Sequence, residues 1–222
     1  MAGTYERTNY VSSFGFSQRW RNQCVDGAAV GRGMVVVDLM TGMGECWAAL
    51  GRKLGERGRI VAVDISSGML KYAKRRLGRA TTQAIEVRHE DALATGIEAE
   101  SADRVVSAFG LKTFSEAQIV RLALQIRRIL KRDGHLSVIE ISVPERWWLR
   151  LPYLFYLNYV IPLIGRIFLG NPGNYRMLGM YTERFGDARR AMEVFREQGF
   201  EVEFRRYFLG CATGFVGRLR PE

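Results

Sequence analysis

Short apolar runs alternate with amphipathic stretches along most of this chain. The runs have the length and composition of buried β-strands, and five of them lie at residues 34–39, 59–64, 85–89, 102–107 and 135–141. The stretches with helical spacing lie at 45–54, 67–77 and 116–130, and the longest has one face made of Ile119, Leu122, Ala123, Ile126 and Leu130. This alternation predicts an α/β fold with a doubly wound, mostly parallel sheet and helices on both faces.

The carboxyl-terminal part of the chain completes this plan. A further helix is predicted over 184–198, followed by two strands at 202–209 and 213–218. These two strands bring the sheet to seven and are expected at its edge. Residues 1–30 are predicted to form an N-terminal helical cap. With no internal repeat or linker, we expect residues 1–222 to form one domain.

One apolar segment interrupts the alternation after the fifth strand. It lies within residues 145–182, and its most apolar part is 147–169. The uncharged core, 151–165, is broken by Pro152 and Pro162 and falls short of the roughly 20 residues that span a bilayer. We therefore predict a pair of short apolar helices that cover the mouth of the site as a lid over the substrate. The alternative is an internal packing or dimer element.

A glycine-rich turn follows the first predicted strand. Asp38 closes that strand, Thr41, Gly42 and Gly44 follow it, and Asp64 closes the second strand. This spacing is typical of the first βαβ unit of a nucleoside-binding fold. In such a unit glycines let the backbone approach the ligand, and the second acid accepts the ribose hydroxyls. The alternative is an α/β domain whose glycine turn binds nothing.

Two residues favour S-adenosylmethionine over a dinucleotide. Trp47 takes the sixth position of the G-x-G-x-x-G pattern, where it would crowd a pyrophosphate at the helix N-terminus. Asp38 suits a ligand with an ammonium and a sulfonium group better than it suits a pyrophosphate. We therefore predict S-adenosylmethionine as the cofactor, with its ammonium near Asp38. Backbone groups of Thr41, Gly42 and Gly44 are expected to hold its methionine moiety.

The ends of the other strands supply the remaining cofactor candidates. Ile65 and Met69 follow the second strand and could form an apolar wall for adenine. Asp91 follows the third strand and could accept the hydrogens of the adenine amino group, with Ala92 beside it. Ser107 ends the fourth strand, next to the reacting centre. Ligands of doubly wound sheets bind beyond these carboxyl ends, which is why these positions are grouped.

The net charge and the cysteines limit the kinds of partner and the cellular compartment that we expect. The formal net charge is +10, from 33 basic and 23 acidic residues, which fits an anionic partner or a solvated basic surface. The basic residues do not cluster with aromatic ones, so we expect no nucleic-acid binding. Cys24, Cys46 and Cys211 are odd in number and lack metal-ligand spacing. We therefore predict no metal site and a reducing, cytoplasmic location.

Four segments resemble the ubiquinone/menaquinone biosynthesis C-methyltransferases, which are class I S-adenosylmethionine enzymes. The N-terminal pattern Tyr-Glu-Arg-Thr-Asn through Ser13 to Trp20 is similar to the family's Tyr-Asp-x-Met-Asn…Ser…His-x-x-Trp. The others are Phe109-Gly110-Leu111-Lys112-Thr113, similar to Phe-Gly-Leu-Arg-Asn; Arg128-Ile129-Leu130-Lys131 with Gly134, Leu136, Ile139, Glu140 and Ser142; and Tyr175-Arg176-Met177-Leu178. The resemblance implies a seven-stranded methyltransferase fold, carbon methylation and a cofactor contact from Tyr5. It also allows a homodimer.

The chain departs from the family mainly on the acceptor side. Lys112 and Thr113 replace the Arg-Asn pair that the family places near the acceptor ring, and Tyr181-Thr182 replaces Ser-Ile. Carbon methylation needs a phenolate or enolate, whose oxygen a cation can stabilise. Lys112 is our candidate for that role, and Tyr181 is a second catalytic candidate. The alternatives are a solvated lysine and a packing tyrosine.

The predicted acceptor is a hydrophobic small molecule, most simply a quinone precursor or another prenyl metabolite. We expect its contacts to come from Phe14, Lys112, Tyr156, Tyr175 and Tyr181. A second hypothesis is an enzyme that methylates a lipid headgroup or prenylated ring at the membrane surface, with peripheral membrane contact through the apolar segment. Oxygen or nitrogen methylation, and an inactive cofactor-binding partner, also stay open.

Overall fold

Seven strands form one mixed sheet at the centre of the protein. The computed structural model describes residues 15–77, 84–164 and 173–220, with the side chains of 173–176 left out. The strand order is β3-β2-β1-β4-β5-β7-β6. The strands are β1 Val35–Leu39, β2 Arg59–Asp64, β3 Ala84–His89, β4 Ala102–Ala108, β5 Leu130–Ile141, β6 Phe200–Tyr207 and β7 Ala212–Leu219.

The strand directions confirm the predicted doubly wound, mostly parallel sheet. β1 pairs in parallel with β2 and β4, and the parallel pairing extends to β3 on one side and β5 on the other. β7 runs antiparallel between β5 and β6. The order reverses between β1 and β4. A crevice therefore opens beyond the carboxyl ends of these two strands, where ligands of such sheets bind.

Helices cover both faces of the sheet, each over its own hydrophobic core. One face packs against α1 Phe16–Gly27, α2 Trp47–Leu54 and α3 Ser67–Lys74. The other packs against α4 Glu116–Ile129 and α7 Arg189–Glu197. The predicted apolar face of the long helix is confirmed, because Ile119, Leu122, Ala123 and Ile126 are all buried on α4. A capping box between Ser115 and Gln118 fixes the start of that helix.

The single helix predicted over 184–198 is wrong, because the structure has two helices there. α6, Gly173–Phe185, ends before Gly186, whose φ is +66°, and α7 begins at Arg189. The link is held by the Thr213 hydroxyl, which accepts a hydrogen bond from the Ala188 N–H at 2.9 Å. Glycine in the left-handed region is a common helix terminator. This break lets α6 lie against the site while α7 packs on the sheet.

Several predicted boundaries also shift. β5 begins at Leu130, where we predicted the end of a helix, and β6 begins at Phe200 instead of residue 202. Within the predicted N-terminal cap the described helix is α1, and residues 1–14 lie outside the described part of the chain. Ser66 caps α3, since its Oγ accepts a hydrogen bond from the Met69 N–H at 3.3 Å.

The apolar segment after β5 forms one continuous helix in its described part. α5, Trp147–Phe155, passes into a π-helical turn, Tyr156–Val160, and helical structure continues to residue 164. Residues 165–172, which include the end of the predicted pair of helices, lie outside the described ranges. Among the described residues, no helix is both long and apolar enough to cross a bilayer.

Gly214 provides a test of the sheet packing. A Cβ at this position of β7 would lie 2.0 Å from the carbonyl oxygen of Val138 on β5. Because backbone atoms of two hydrogen-bonded strands cannot move aside cheaply, we expect Gly214→Ala to lower the free energy of unfolding by at least about 2 kcal/mol. Urea unfolding followed by circular dichroism measures this.

The matched control is Gly68→Ala on α3, where the nearest atom to a new Cβ is the Ser66 Oγ at 3.8 Å. Alanine favours a helix over glycine, so this variant should be as stable as the parent or slightly more so. Equal stability of the Gly214 and Gly68 variants would contradict the described pairing of β5 with β7.

Candidate cofactor and acceptor site

A buried carboxylate lies at the carboxyl end of β1. Asp38 is 1% exposed, and its Oδ2 accepts a hydrogen bond from the Thr41 hydroxyl at 2.5 Å. The Thr41 Oγ1 in turn accepts one from the Trp47 indole N–H at 3.0 Å. This chain of bonds fixes the carboxylate from one side. Trp47 therefore helps to hold Asp38 in place through Thr41, a role that the sequence did not indicate.

The surroundings of Asp38 disfavour its negative charge. Its pKa is raised from 3.8 to about 7, mainly by burial. The nearby carboxylates of Glu45 and Asp64 act in the same direction, and the hydrogen bond from Thr41 acts in the opposite direction. A cation placed beside Asp38 would restore the ionised form. The electrostatics of this end of the sheet therefore favour a positively charged ligand.

The turn after β1 is compact and conformationally unusual. Met40, Gly42 and Gly44 all have positive φ, at +57°, +60° and +76°. A Cβ at Gly44 would lie 2.6 Å from the ring of Trp47, so glycine is required there by packing as well as by conformation. The non-glycine residue Met40 carries the strain of a left-handed conformation, which is frequent at functional sites.

The backbone N–H groups of this turn are engaged within the protein. Thr41 donates to the Val63 carbonyl at 3.0 Å, Gly42 to the Asp64 Oδ2 at 2.8 Å, and Gly44 to the Thr41 carbonyl at 3.0 Å. The glycines therefore contribute shape and close approach rather than free donors. The predicted contacts of Thr41, Gly42 and Gly44 with the methionine moiety stay predictions.

Asp64 closes β2 and joins the two turns. Its Oδ2 accepts the Gly42 N–H, and its Oδ1 accepts the Ser66 N–H at 2.8 Å. Each carboxylate oxygen has a second lone-pair site, so the half-buried side chain can still accept two hydroxyls. Ile65 beside it is 68% exposed, and Met69 lies half-buried on the first turn of α3. Their role as an apolar wall for adenine stays a prediction.

The ends of β3 and β4 carry the remaining cofactor candidates, whose roles stay predictions. Asp91 is exposed and accepts the Leu93 N–H at 2.9 Å, and Ala92 is buried. Glu90, the preceding acid, braces its own loop by accepting from Thr95 and Gly96. Ser107 is buried, and within the described residues its Oγ has no hydrogen-bond partner.

Lys112 forms a buried ion pair that the sequence analysis did not foresee. Its Nζ donates to the Glu140 Oε1 at 2.8 Å, and its backbone N–H donates to the Glu140 Oε2 at 3.0 Å. The Lys112 side chain is 9% exposed and that of Glu140 is fully buried. The pair ties the turn after β4 to β5. The ammonium is therefore held in place beside the crevice instead of being solvated, which was the alternative reading.

The N-terminal helix closes one side of this crevice. Arg21 on α1 pairs with Glu45 at 3.3 Å and lies 4.8 Å from the centre of the Phe109 ring. Phe109 follows β4 with a φ of +70° and also meets Trp20 edge to face. One arginine thus links α1, the glycine turn and the end of β4. Neither Arg21 nor Glu45 was among the predicted site residues.

The structure describes the side chains of only some of the remaining candidates. Tyr156 lies half-buried in the π-helical turn, where burial raises its pKa. Tyr181 lies half-buried on α6, which packs against the turn that holds Lys112. Tyr175 is on the same helix, but its side chain is outside the described part, as are Tyr5 and Phe14. The acceptor-side assignments therefore stay predictions.

These residues together fit S-adenosylmethionine by their chemistry. Asp38 offers a buried carboxylate that lacks a cationic partner among the described residues, and Asp64 offers two oxygens with spare lone pairs. The first suits an ammonium and the second a pair of ribose hydroxyls. The acidic character of the crevice disfavours a pyrophosphate.

Solved structures with the same fold include methyltransferases. The chain superimposes on a SAM-dependent methyltransferase from Aquifex aeolicus with a TM-score of 0.62, at 19% identity and with 90% and 89% of the two chains covered. It also matches the [4+2]-cyclase SpnF with a TM-score of 0.65, at 16% identity, over 91% and 80% of the chains. At these identities the likeness concerns the fold alone, and the second match shows that the fold hosts other chemistry.

Sequence relatives identify the family. A demethylmenaquinone methyltransferase from Thermotoga maritima is 33% identical over 221 residues, which cover 99% of this chain and 93% of that protein. The model of the ubiE/COQ5 methyltransferase family matches residues 1–218. The chain therefore belongs to the ubiE/COQ5 methyltransferase family and is an S-adenosylmethionine-dependent methyltransferase.

Proposed function

We propose that this enzyme methylates a ring carbon of a hydrophobic quinol, the reduced form of a prenylated quinone precursor. The observation that carries the proposal is the ammonium of Lys112, held by Glu140 at the end of β4 beside the crevice. The name of the Thermotoga maritima relative supports the same acceptor class. Carbon methylation also agrees with the resemblance noted in the sequence.

The cofactor half of the site is assigned to two carboxylates. Asp38 would pair with the ammonium of the cofactor, and Asp64 would accept its ribose hydroxyls. Ile65 and Met69 would flank the adenine, near Asp91 and Ala92. When bound, S-adenosylmethionine supplies an electrophilic methyl group on a sulfonium. The protein then has to present the acceptor in line with that methyl group and exclude water.

The acceptor half of the site centres on Lys112. A quinol carbon becomes nucleophilic when a neighbouring hydroxyl loses its proton, because the phenolate oxygen feeds electron density into the ring. An ammonium beside that oxygen favours the ionised form. Such a carbon would accept the methyl group that the bound cofactor supplies, and it would afterwards lose its own proton to water, which restores the aromatic ring. Glu140 keeps the ammonium oriented throughout.

A direct assay tests this function. The purified protein is mixed with S-adenosylmethionine and a short-chain prenylated naphthoquinol without the ring methyl group, kept reduced with dithionite. Mass spectrometry and proton NMR of the product should show one added methyl group on a ring carbon. A methyl group on oxygen, or no product while the cofactor binds, would refute the proposed acceptor chemistry.

Asp64→Ala should weaken S-adenosylmethionine binding by at least about 100-fold, because it removes both acceptors of the ribose hydroxyls. Isothermal titration calorimetry measures this loss. The matched control is Asp187→Ala, since Asp187 also accepts the N–H of the residue two positions on, Arg189, at 2.8 Å. Comparable binding by the two variants would refute the role of Asp64.

Cofactor affinity should rise with pH between about 6 and 8, because Asp38 must lose its proton before it pairs with an ammonium. Asp38→Asn should bind at least about 10-fold more weakly at pH 8 and lose this dependence. Calorimetric titrations across that pH range test both statements. An unchanged pH profile in the variant would show that another group titrates.

The same pKa predicts a stability effect in the cofactor-free protein. The pKa of Asp38 is raised from 3.8 to about 7, so the folded state holds the proton more tightly than the unfolded chain does. That contribution to stability is lost as pH rises through about 7. Asp38→Asn should therefore melt above the parent at about pH 8, and this advantage should shrink towards about pH 5.

Lys112→Met should lower kcat in the quinol assay by at least about 100-fold while cofactor affinity changes less than about threefold. The single variant leaves Glu140 buried and unpaired, which is destabilising. The double variant Lys112→Met/Glu140→Gln removes that stranded charge and should recover stability without activity. Lys112→Arg, which restores the family's residue, should keep a substantial part of kcat.

An ion pair at the opposite end of the same two strands serves as the control. Lys131 on β5 pairs with Asp103 on β4 at 2.7 Å, and it is exposed. Lys131→Met should leave kcat and cofactor affinity unchanged. Equal losses of turnover in the Lys112 and Lys131 variants would mean that Lys112 only joins the strands.

A further inference from the structure

Five large apolar side chains lie in a row on the outer face of the helix that follows β5. Trp147, Leu151, Phe155, Tyr159 and Leu163 recur at every fourth residue, and each is between 57% and 76% exposed. We call this row the apolar stripe. It extends over about 24 Å at 1.5 Å per residue. An exposed apolar patch of this size on one element marks a binding surface rather than ordinary surface composition.

The π-helical turn keeps the stripe on one side of the helix. In an α-helix residues four apart are offset by about 40°, so five such residues would wind almost to the opposite face. The π turn Tyr156–Val160 holds more residues per turn, so each of them rotates by less than in an α-helix. This cancels part of the drift between Phe155 and Leu163.

The opposite face of this helix is anchored to the rest of the protein. Leu157 and Ile161 are buried there, packed against Leu178 of α6. The Tyr153 hydroxyl donates to the Cys211 carbonyl at 3.1 Å. Asn158 approaches Gly179 so closely that a Cβ at the glycine would lie 1.8 Å from the Asn158 Oδ1. The stripe is therefore a fixed feature of the folded surface.

The charge along this segment has a single sign. Between residues 146 and 182 the sequence contains four arginines and neither aspartate, glutamate nor lysine. Two of the arginines, Arg146 and Arg150, are exposed at the beginning of the helix, and Arg146 lies 6.0 Å from the centre of the Trp148 ring. Such a segment is complementary to an anionic surface, and it repels another copy of itself electrostatically.

We propose that the apolar stripe binds the surface of an anionic phospholipid bilayer, with the helix lying in the plane of the interface. Tryptophan and tyrosine favour the headgroup level, and leucine and phenylalanine favour the acyl boundary. Arginines near an anionic leaflet add electrostatic attraction to it. The functional benefit rests on the proposed quinol acceptor, because a prenylated ring is itself dissolved in the bilayer.

Sedimentation with phospholipid vesicles tests the proposal. The native protein should sediment with vesicles that contain phosphatidylglycerol, and should do so less with pure phosphatidylcholine and at high salt. Tryptophan fluorescence should shift to shorter wavelength on binding, as Trp147 and Trp148 leave water. Leu151→Glu/Phe155→Glu should lower the partition coefficient at least about 10-fold.

The control is Leu124→Glu, since Leu124 on α4 is also an exposed leucine, at 46%. It should bind vesicles like the native protein. If the double variant fails to fold, as circular dichroism would show, Arg150→Glu tests the same surface and should weaken binding to anionic vesicles.

Three results would overturn the proposal: no vesicle binding by the native protein, equal binding by the stripe and Leu124 variants, or a native dimer that the stripe variant dissociates while vesicle affinity is absent. The last would assign the stripe to a second copy of the chain. If the native protein binds vesicles but does not methylate the quinol, only the proposed function is overturned. If the native protein methylates a dispersed quinol but does not bind vesicles, only this inference is overturned.

Discussion

Among the residues that the structure describes, Asp38 is a carboxylate buried without a cationic partner, and the site is built around this constraint. Asp38 is removed from water at the end of β1, and burial lifts its pKa to about 7. The protein offsets part of this penalty through Thr41, which Trp47 holds in position. Gly44 is then forced to be glycine, because the Trp47 ring occupies the space of a side chain. The glycine motif is thus as much a consequence of packing around a buried charge as a means of ligand approach.

The acceptor side depends on a second buried charge that is compensated internally. Burying the charges of Lys112 and Glu140 is unfavourable because both lose their hydration. The bond between them and the backbone N–H groups that donate to Glu140 offset much of this desolvation penalty. Backbone strain adds a further unfavourable contribution nearby. Phe109 follows β4 in a left-handed conformation, as Met40 does after β1. Both strained residues flank the crevice. The fold therefore concentrates its unfavourable terms where the cofactor and acceptor are proposed to meet.

The sequence predicts the features that depend on local periodicity and misses those that depend on tertiary pairing. The alternation of apolar runs is enough for the sheet, and Asp38 and Asp64 follow from their positions at strand ends. Glu140 lies 28 residues from Lys112, and nothing local couples them. The break at Gly186 was also missed, because the apolar pattern on both sides of it is helical. Gly186, in a left-handed conformation, ends the first helix, and the distant hydroxyl of Thr213 holds the link to the second.

The π-helical turn makes the winding of its helix as important as its composition. If the same five residues, Tyr156–Val160, wound as an α-helix instead, each would rotate further, and everything after the turn would rotate relative to everything before it. Tyr159 and Leu163 would then leave the line of Trp147 and Leu151. Every side chain would still be present, yet the outer face would be divided into two short patches pointing in different directions. The arrangement of the stripe therefore depends on how this turn is wound as well as on the side chains that it carries.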